Sequence, residues 1–233
     1  MRANRVVLVG GLVLAAVLGV AGGYYAGVLT KPPYPVASGV PAPLGGVSGP
    51  TSEPPLPLKT PEPNGLKALN DVDFSWQTLT FNLDDAPQIR LKIRVPIGWT
   101  KKVLTEGDIR FQDSRNARWI RIKPLYPILQ SPRQRRDQQV PTLQKSVPQE
   151  NDLKLLGQSD DTITGTDGEP RQVSTLTYSY IPDTWLRPVL LEYVKTPGHD
   201  GANVEISVTV LPQDKVAMKR IAREAAESVT PQD

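Results

Sequence analysis

An uncharged stretch near the N-terminus is the strongest constraint on this chain. Val6–Leu29 is a run of 24 residues without a charged side chain, preceded by Arg2 and Arg5 and followed by Lys31. As a helix rising about 1.5 Å per residue it is about 36 Å long, which exceeds the roughly 30 Å hydrocarbon core of a bilayer. Residues 1–30 are therefore expected to form a single transmembrane helix that acts as an uncleaved signal anchor.

The residues flanking this helix indicate its orientation. Basic residues beside a transmembrane segment favour the cytoplasmic side, so the N-terminus is expected in the cytoplasm and the chain after Lys31 outside the cell membrane. The alternative is a signal peptide cleaved after Gly19-Val20-Ala21, although such an apolar region normally ends after about 7–15 residues. The chain has no Cys, which excludes a lipid-anchored lipoprotein, a disulfide scaffold and thiolate metal ligands.

Small residues recur at every fourth position of the expected helix. They are Gly11, Ala15, Gly19, Gly23 and Gly27. A stripe of small residues lets two helix backbones approach closely, and in lipid such packing drives helix association. The stripe predicts association with a second copy, which gives a homodimer, or with another transmembrane partner. The alternative is that Gly and Ala are simply abundant in such segments.

The composition changes abruptly after the expected helix. Eleven of the 24 prolines lie between Pro32 and Pro63. Proline fixes φ and removes a backbone donor, so this stretch can form neither a regular helix nor a sheet. Residues 31–65 are therefore expected to be a disordered, Pro-rich linker, on the order of 110 Å long when fully extended at about 3.1 Å per residue.

The remaining residues, 66–233, are expected to form one extracytoplasmic domain with an α+β fold. The clearest strand is Gln88–Val95, whose apolar and basic side chains alternate strictly. Less regular strand patterns occur at Asp73–Leu83, Asp108–Phe111, Ala117–Ile122, Val173–Ile181, Trp185–Val194 and Ala202–Val210. Gln213–Val229 has the periodicity of an amphipathic helix. A shorter helix is expected at Arg133–Gln139, capped by Ser131-Pro132 and stopped by Pro141. These patterns together predict an antiparallel sheet of about six or seven strands covered by helices.

The order of these elements resembles the PsbP-like fold. The resemblance covers about Asp73 to Val229 and includes the turn Val95-Pro96-Ile97-Gly98-Trp99, the short strands near Asp108–Phe111 and Arg118–Ile122, and a final strand Val204–Val210 before the last helix. Extrinsic photosystem subunits, a Ran-binding nuclear import factor and many membrane-anchored actinobacterial envelope proteins share this fold. The chain differs from the lipoprotein relatives because it lacks a lipidated Cys. The resemblance implies a binding or accessory module, and no catalytic residue set transfers with it.

No arrangement in the sequence predicts catalysis, a cofactor or a metal site. The single His, His199, lies in a Pro-Gly-His-Asp-Gly turn, whereas a catalytic triad needs a rigidly held His. The adjacent carboxylates Asp84-Asp85 and Asp160-Asp161 would point to opposite faces of a strand and so would not converge. Residues 66–233 contain 23 basic and 22 acidic side chains, a balance that argues against nucleic acid as a partner.

The most concentrated charge in the domain is a group of three arginines. Arg133, Arg135 and Arg136 form a candidate basic surface that could meet anionic lipid headgroups or wall polymers. The alternative is a solvated helix face balanced by acidic neighbours. The four tryptophans are expected in the core or at its edge, and they are Trp76, Trp99, Trp119 and Trp185.

The tripartite sequence favours a tethering function in a bacterial envelope. A signal anchor holds a binding or accessory domain within linker reach of an envelope partner, which raises the effective concentration of the domain near that partner. The partner expected is an envelope protein, a lipid or a wall polymer, and no enzyme activity is expected. Two alternatives remain open, namely an envelope hydrolase or transferase that uses carboxylates and a carrier of a hydrophobic ligand.

Overall fold

The computed structural model describes residues 56–83, 87–104 and 107–232. The expected signal anchor, its stripe of small residues, the linker up to residue 55 and the pair Asp84-Asp85 lie outside the described residues. Within the described part of the chain, neither helix combines the length and apolar content that a membrane span requires.

The described chain contains ten strands, two α-helices and two short 3₁₀ helices. The strands are β1 (Phe74–Phe81), β2 (Ile89–Pro96), β3 (Thr100–Val103), β4 (Ile109–Gln112), β5 (Trp119–Pro124), β6 (Lys154–Thr164), β7 (Pro170–Tyr180), β8 (Arg187–Lys195), β9 (Val204–Thr209) and β10 (Thr230–Gln232). The helices are α1 (Pro132–Ser146), η1 (Gln149–Asn151), η2 (Pro212–Asp214) and α2 (Lys215–Ser228). All seven strands expected from sequence periodicity and the C-terminal helix are confirmed, with ends within three residues of the expected ones.

The strands form two antiparallel sheets instead of the single sheet expected. The larger sheet has seven strands in the order β3-β4-β5-β9-β8-β7-β6, and the smaller has three in the order β1-β2-β10. The α+β class is therefore confirmed, and the expectation of one sheet is corrected. The first hairpin, β1–β2, has an apolar face that packs on α2, and the C-terminal β10 pairs with β2. This pairing completes a small sheet of its own.

One hydrophobic core joins both sheets and α2. It contains Leu79 and Ile93 from the smaller sheet, Ile120 and Ile206 from the larger sheet, and Ile221 from α2, each fully shielded from solvent. The apolar side chains of α2 recur on one side, as an amphipathic helix requires. Burial of this stripe against strands β2, β8 and β9 fixes the position of α2 on the sheet.

Helix α1 covers the opposite face of the larger sheet. Its Leu143 packs with Leu176 of β7 and Leu191 of β8 in a second, smaller cluster. The expectation that this helix stops before Pro141 is wrong, since α1 continues to Ser146. An internal proline removes one backbone hydrogen bond and costs about 3 kcal/mol. The packing of Leu143, which lies after the proline, offsets that cost.

Strand β6 has no counterpart among the expected strands. All of its 11 residues are exposed except the half-buried Ile163. Because neither face is buried, the sequence shows no alternation of apolar and polar side chains there. A bulge at Leu156 shifts the register between β6 and β7. The short strands β3 and β10 were likewise not expected.

The segment before β1 is irregular but attached to the domain. The backbone N–H of Lys59 donates to Glu150 O, and its Nζ donates to Asn151 Oδ1 at 2.6 Å. Nearer β1, Leu69 N–H donates to the buried carboxylate of Asp214 at 2.8 Å, which also pairs with Arg118 Nε at 2.6 Å. The boundary expected between linker and domain, residue 65, lies inside this attached segment.

Candidate binding cleft around Glu192

A cleft of about 640 Å³, lined by both polar and apolar side chains, lies where the larger sheet extends past α2. Within the larger sheet the helix packs mainly on β8 and β9, and the outer strands β7 and β6 continue beyond it. The sheet supplies the floor of the cleft through Gly157, Ser159, Asp161, Thr175, Thr177 and Glu192, and α2 supplies Lys219 and Arg223. We therefore define the Glu192 cleft by these eight residues.

The strand register explains why polar side chains lie on the floor of the cleft. Residues directly opposite each other on neighbouring strands share a face of the sheet. Across the larger sheet, Ile122 lies opposite Ile206, Ile206 opposite Glu192, Glu192 opposite Thr175, and Thr175 opposite Ser159. This row is apolar beneath α2 and becomes polar at β8. Glu192 thus occupies the boundary between the packed core and the open cleft.

Glu192 is a buried carboxyl without a hydrogen-bond partner for one of its oxygens. The residue is 8% exposed, and Oε2 accepts no hydrogen bond within the described part of the chain. Burial, which removes hydration from the charged form, raises the pKa of this carboxyl to about 7, with smaller contributions from the negative charges of Asp161 and Glu227. Near neutral pH the group therefore exchanges readily between its protonated and ionised forms.

The helix contributes charged side chains at intervals of four residues. Lys219, Arg223 and Glu227 are consecutive members of one stripe on α2. Arg223 Nε donates to Glu227 Oε1 at 2.6 Å, so these two charges neutralise each other. Lys219 is exposed and forms no ion pair with a carboxylate of the described residues. Glu192 accordingly has no cationic partner from the helix that lies above it.

The neighbouring acidic residues Asp160 and Asp161 diverge as expected. Asp161 lines the Glu192 cleft, whereas Asp160 lies on the α1 side of the sheet. There it accepts hydrogen bonds from Ser174 Oγ at 2.6 Å and from Arg136 Nη1 at 2.7 Å. The Ser174 hydrogen bond and the Arg136 charge lower the pKa of Asp160. The two side chains thus lie on opposite faces of β6, as expected for neighbours on a strand, and both residues border a further pocket of about 290 Å³ beside α1.

The three arginines singled out in the sequence occupy different environments. Arg136 is 4% exposed and is held by Asp137 at 2.8 Å and Asp160 at 2.7 Å. Arg133 is exposed, and its Nε lies 3.8 Å from both of the same carboxylates. Arg135 is half-buried. Arg136 therefore does not contribute to a solvent-facing basic surface, because acidic neighbours hold it against the sheet.

One of the four tryptophans, Trp76, is less buried than expected. Trp76 is 44% exposed on the outer face of β1, and Lys92 Nζ lies 4.8 Å from its ring centroid. Its expected place in or beside the core is wrong, because the inward positions of β1 are taken by residues such as Leu79. Trp99, Trp119 and Trp185 are half-buried, as expected for the edge of a core.

His199 lies in the turn between β8 and β9, as expected. Its Nδ1 is 3.2 Å from Thr196 Oγ1 and 3.2 Å from Pro197 O, and both contacts are local. Residues 56–83, 87–104 and 107–232 contain no cluster of three or more His, Asp and Glu side chains suited to a metal ion.

Comparison with known sequences adds no family to this description. No protein-family model matches the chain, and neither does any curated protein sequence.

Sequence reasoning missed Glu192 although a signal was present. Pro188–Val194 contains one charged residue among six apolar or aromatic ones. A strand with such a composition is buried on both faces, and β8 has this pattern over its first eight residues. A single carboxyl inside such a strand must be paired, protonated or aimed into a cavity.

Proposed function

We propose that this protein is a single-pass, membrane-anchored binding module of a bacterial envelope. Its N-terminus lies in the cytoplasm, and its PsbP-like domain lies outside and binds an envelope protein. The tripartite sequence supports this proposal, with 24 uncharged residues, a Pro-rich linker and a domain that follow one another. The mechanism is tethering, because confinement by the linker raises the effective concentration of the domain near its partner.

We place the partner on β6, the outer strand of the larger sheet. β6 is the longest edge strand of the described chain, and it pairs with β7 alone. The outer edge of such a strand presents unpaired N–H and C=O groups, which an extended peptide can satisfy by adding a further strand. The opposite edge, β3, is four residues long and carries Lys101 and Lys102, features that discourage pairing.

The Glu192 cleft adjoins this edge and adds side-chain recognition. Gly157, Ser159 and Asp161 belong to β6 and also line the cleft. In a β-sheet, alternate residues of an added strand point to one face, so every second side chain of a bound segment would lie on the cleft side. The continuity of edge and cleft is the observation that carries this proposal.

Photocrosslinking in the native cell tests the docking surface. The full-length chain receives a photoactivatable phenylalanine analogue in place of Gln158 on β6 or, as a matched control, in place of Lys102 on β3. Both positions are exposed. We expect a reproducible envelope protein crosslinked from position 158 and not from position 102. No neighbour at position 158, or the same neighbours at both positions, would remove β6 as the docking strand.

Two further tests address the anchor. Protease treatment of intact cells is expected to digest the domain before lysis, and survival of the domain until lysis would contradict the proposed orientation. The proposed homodimer through the small-residue stripe predicts that Gly23→Ile weakens self-association in a membrane two-hybrid assay. Unchanged association would leave the stripe without this role.

One observation favours a hydrolase as the second candidate. Glu192, with a pKa of about 7, and Asp161 line the same cleft, and glycoside hydrolysis uses a protonated acid together with a second carboxylate. A hydrolase would release product from wall fragments, and Glu192→Gln would abolish that release. The carrier alternative has less support, because the charged side chains of Asp161, Glu192, Lys219 and Arg223 stand among the apolar residues that line the cleft.

A further inference from the structure

Glu192 is the one residue of the cleft with a buried polar atom that lacks a hydrogen-bond partner among the described residues. It is more than nine-tenths buried, and its Oε2 has no hydrogen-bond donor among the described residues. A buried carboxyl oxygen without a partner costs roughly 1–3 kcal/mol or more. A buried polar atom without a partner needs an explanation, and beside a cavity a bound ligand group supplies one.

The charges around the cleft determine which ligand group would fit. Two carboxylates, Asp161 from β6 and Glu227 from α2, raise the pKa of Glu192, and two cations of α2, Lys219 and Arg223, line the same cleft. The opposite charges of Arg223 and Glu227, which are paired at 2.6 Å, cancel each other. Among the cleft residues Lys219 is then the one cation left to offset Asp161 and Glu192, and it forms an ion pair with neither. The cleft therefore has an excess of negative charge whenever Glu192 is ionised.

We propose that the Glu192 cleft binds a primary ammonium or guanidinium group on a side chain of the partner segment, with Glu192 as the buried counter-ion. This inference rests on the proposed docking of an extended polypeptide at β6. The cation donates to Glu192, and the hydroxyl oxygens of Thr175 and Ser159 accept its remaining N–H groups. Asp161 lies on the outer strand and attracts the cation toward the cleft.

Binding of the cation is coupled to loss of a proton. A neutral carboxyl gains little from a cation, whereas a carboxylate forms a charge-assisted hydrogen bond with it. When the ammonium or guanidinium group enters, protonated Glu192 gives its proton to solvent and becomes the carboxylate. At neutral pH, where the pKa of about 7 leaves both forms populated, the protonated fraction should therefore fall on binding.

Infrared difference spectroscopy of the full-length protein in detergent tests this inference. The probes are n-butylammonium and methylguanidinium, with n-butanol as the uncharged control. We expect either cation to reduce the protonated-carboxyl band and to increase the carboxylate bands at pH 7, and butanol to change neither. Glu192→Gln should remove this signal and weaken cation binding about tenfold or more. Glu169→Gln, which alters an exposed glutamate in the β6–β7 turn, should retain both.

The outcomes separate this inference from the proposed function. An unchanged carboxyl band, equal binding of butanol, or full cation binding to Glu192→Gln would overturn the cation site. If the cation site is present but Glu192→Gln still crosslinks the same partner with equal yield from position 158, the site does not serve that partner. In that case docking at β6 stands without it. Since the probes need no partner, the loss of crosslinking alone leaves the cation result intact.

Discussion

Replacement of Glu192 by Gln is expected to change how the stability of the domain depends on pH. Burial raises the pKa of this carboxyl from its ordinary value of 4.5 to about 7 in the folded protein. Between these two values the folded state binds more protons than the unfolded state, so the contribution of Glu192 to stability falls as the pH rises. Below about pH 4.5 both states are protonated, and above about pH 7 the loss is complete.

The magnitude follows from the displacement of the pKa. Each tenfold change in a protonation equilibrium corresponds to 1.36 kcal/mol, so ionised Glu192 lowers the free energy of unfolding by about 3 kcal/mol above pH 7. Gln has nearly the same shape and no charge. We therefore expect Glu192→Gln to be more stable than the wild type at pH 8 by up to about 3 kcal/mol. At pH 4 the two proteins should be similar.

Thermal unfolding followed by tryptophan fluorescence measures this difference. All four tryptophans lie within the described domain, between Trp76 and Trp185, so their emission reports its unfolding. For a domain of this size, about 3 kcal/mol corresponds to roughly 6–12 °C in Tm. The difference between wild type and Glu192→Gln should grow from pH 4 to pH 8, while Glu169→Gln should follow the wild type. Parallel pH profiles for wild type and Glu192→Gln would refute the reasoning.

Three further predictions concern the polar contacts that hold the fold. Gly165→Ala should destabilise the domain by roughly 3 kcal/mol, measured by urea unfolding, because the added Cβ would lie 1.2 Å from Nη1 of the fully buried Arg171. Arg171 also lowers the pKa of Asp167 from 3.8 to about 2 through a hydrogen bond. That contribution to stability is present above about pH 4 and is lost toward pH 2. In Asp167→Asn the free energy of unfolding should therefore depend less on pH in this range. Asp214→Asn should cost about 3 kcal/mol, because the buried Arg118 loses its 2.6 Å carboxylate partner, and hydrogen exchange near residue 69 should accelerate.

Matched variants distinguish these effects from a non-specific loss of stability. An added Cβ at Gly157 would meet no heavy atom within 4 Å, so Gly157→Ala should change stability by less than about 1 kcal/mol. An equal loss in both glycine variants would contradict the Arg171 argument. Glu169→Gln should leave acid unfolding between pH 4 and pH 2 unchanged. Exchange near residue 69 that stays slow in Asp214→Asn would show that other contacts hold this segment.

The sequence predicted the elements that bury one face. Strand β2 was evident because Leu91, Ile93 and Val95 alternate with basic residues and are all buried. Helix α2 was evident for the same reason, since its apolar stripe faces the sheet. Such patterns are visible because burial selects side chains at a fixed period.

The elements that sequence reasoning missed do not show such a periodic pattern of buried side chains. β6 is held by backbone pairing to β7 and buries neither face, so its residues carry no periodic signal. The end of α1 was misjudged at Pro141 because packing of Leu143 onto the sheet, a tertiary effect, outweighs a local preference. Glu192 was passed over for a related reason. The apolar residues around it mark Glu192 as unusual, but its environment depends on where α2 stops covering the sheet, which no local pattern records.

The hydrogen bonds of Lys59 determine which part of the domain first bears a force applied from the N-terminal side. Lys59 bonds to Glu150 and Asn151 around η1, and Glu62 N–H donates to Thr184 O in the β7–β8 loop. A pull from the N-terminal side therefore reaches η1 and this loop before it reaches β1. The force reaches the first hairpin only after those hydrogen bonds break. The released segment then extends before force acts on the sheets.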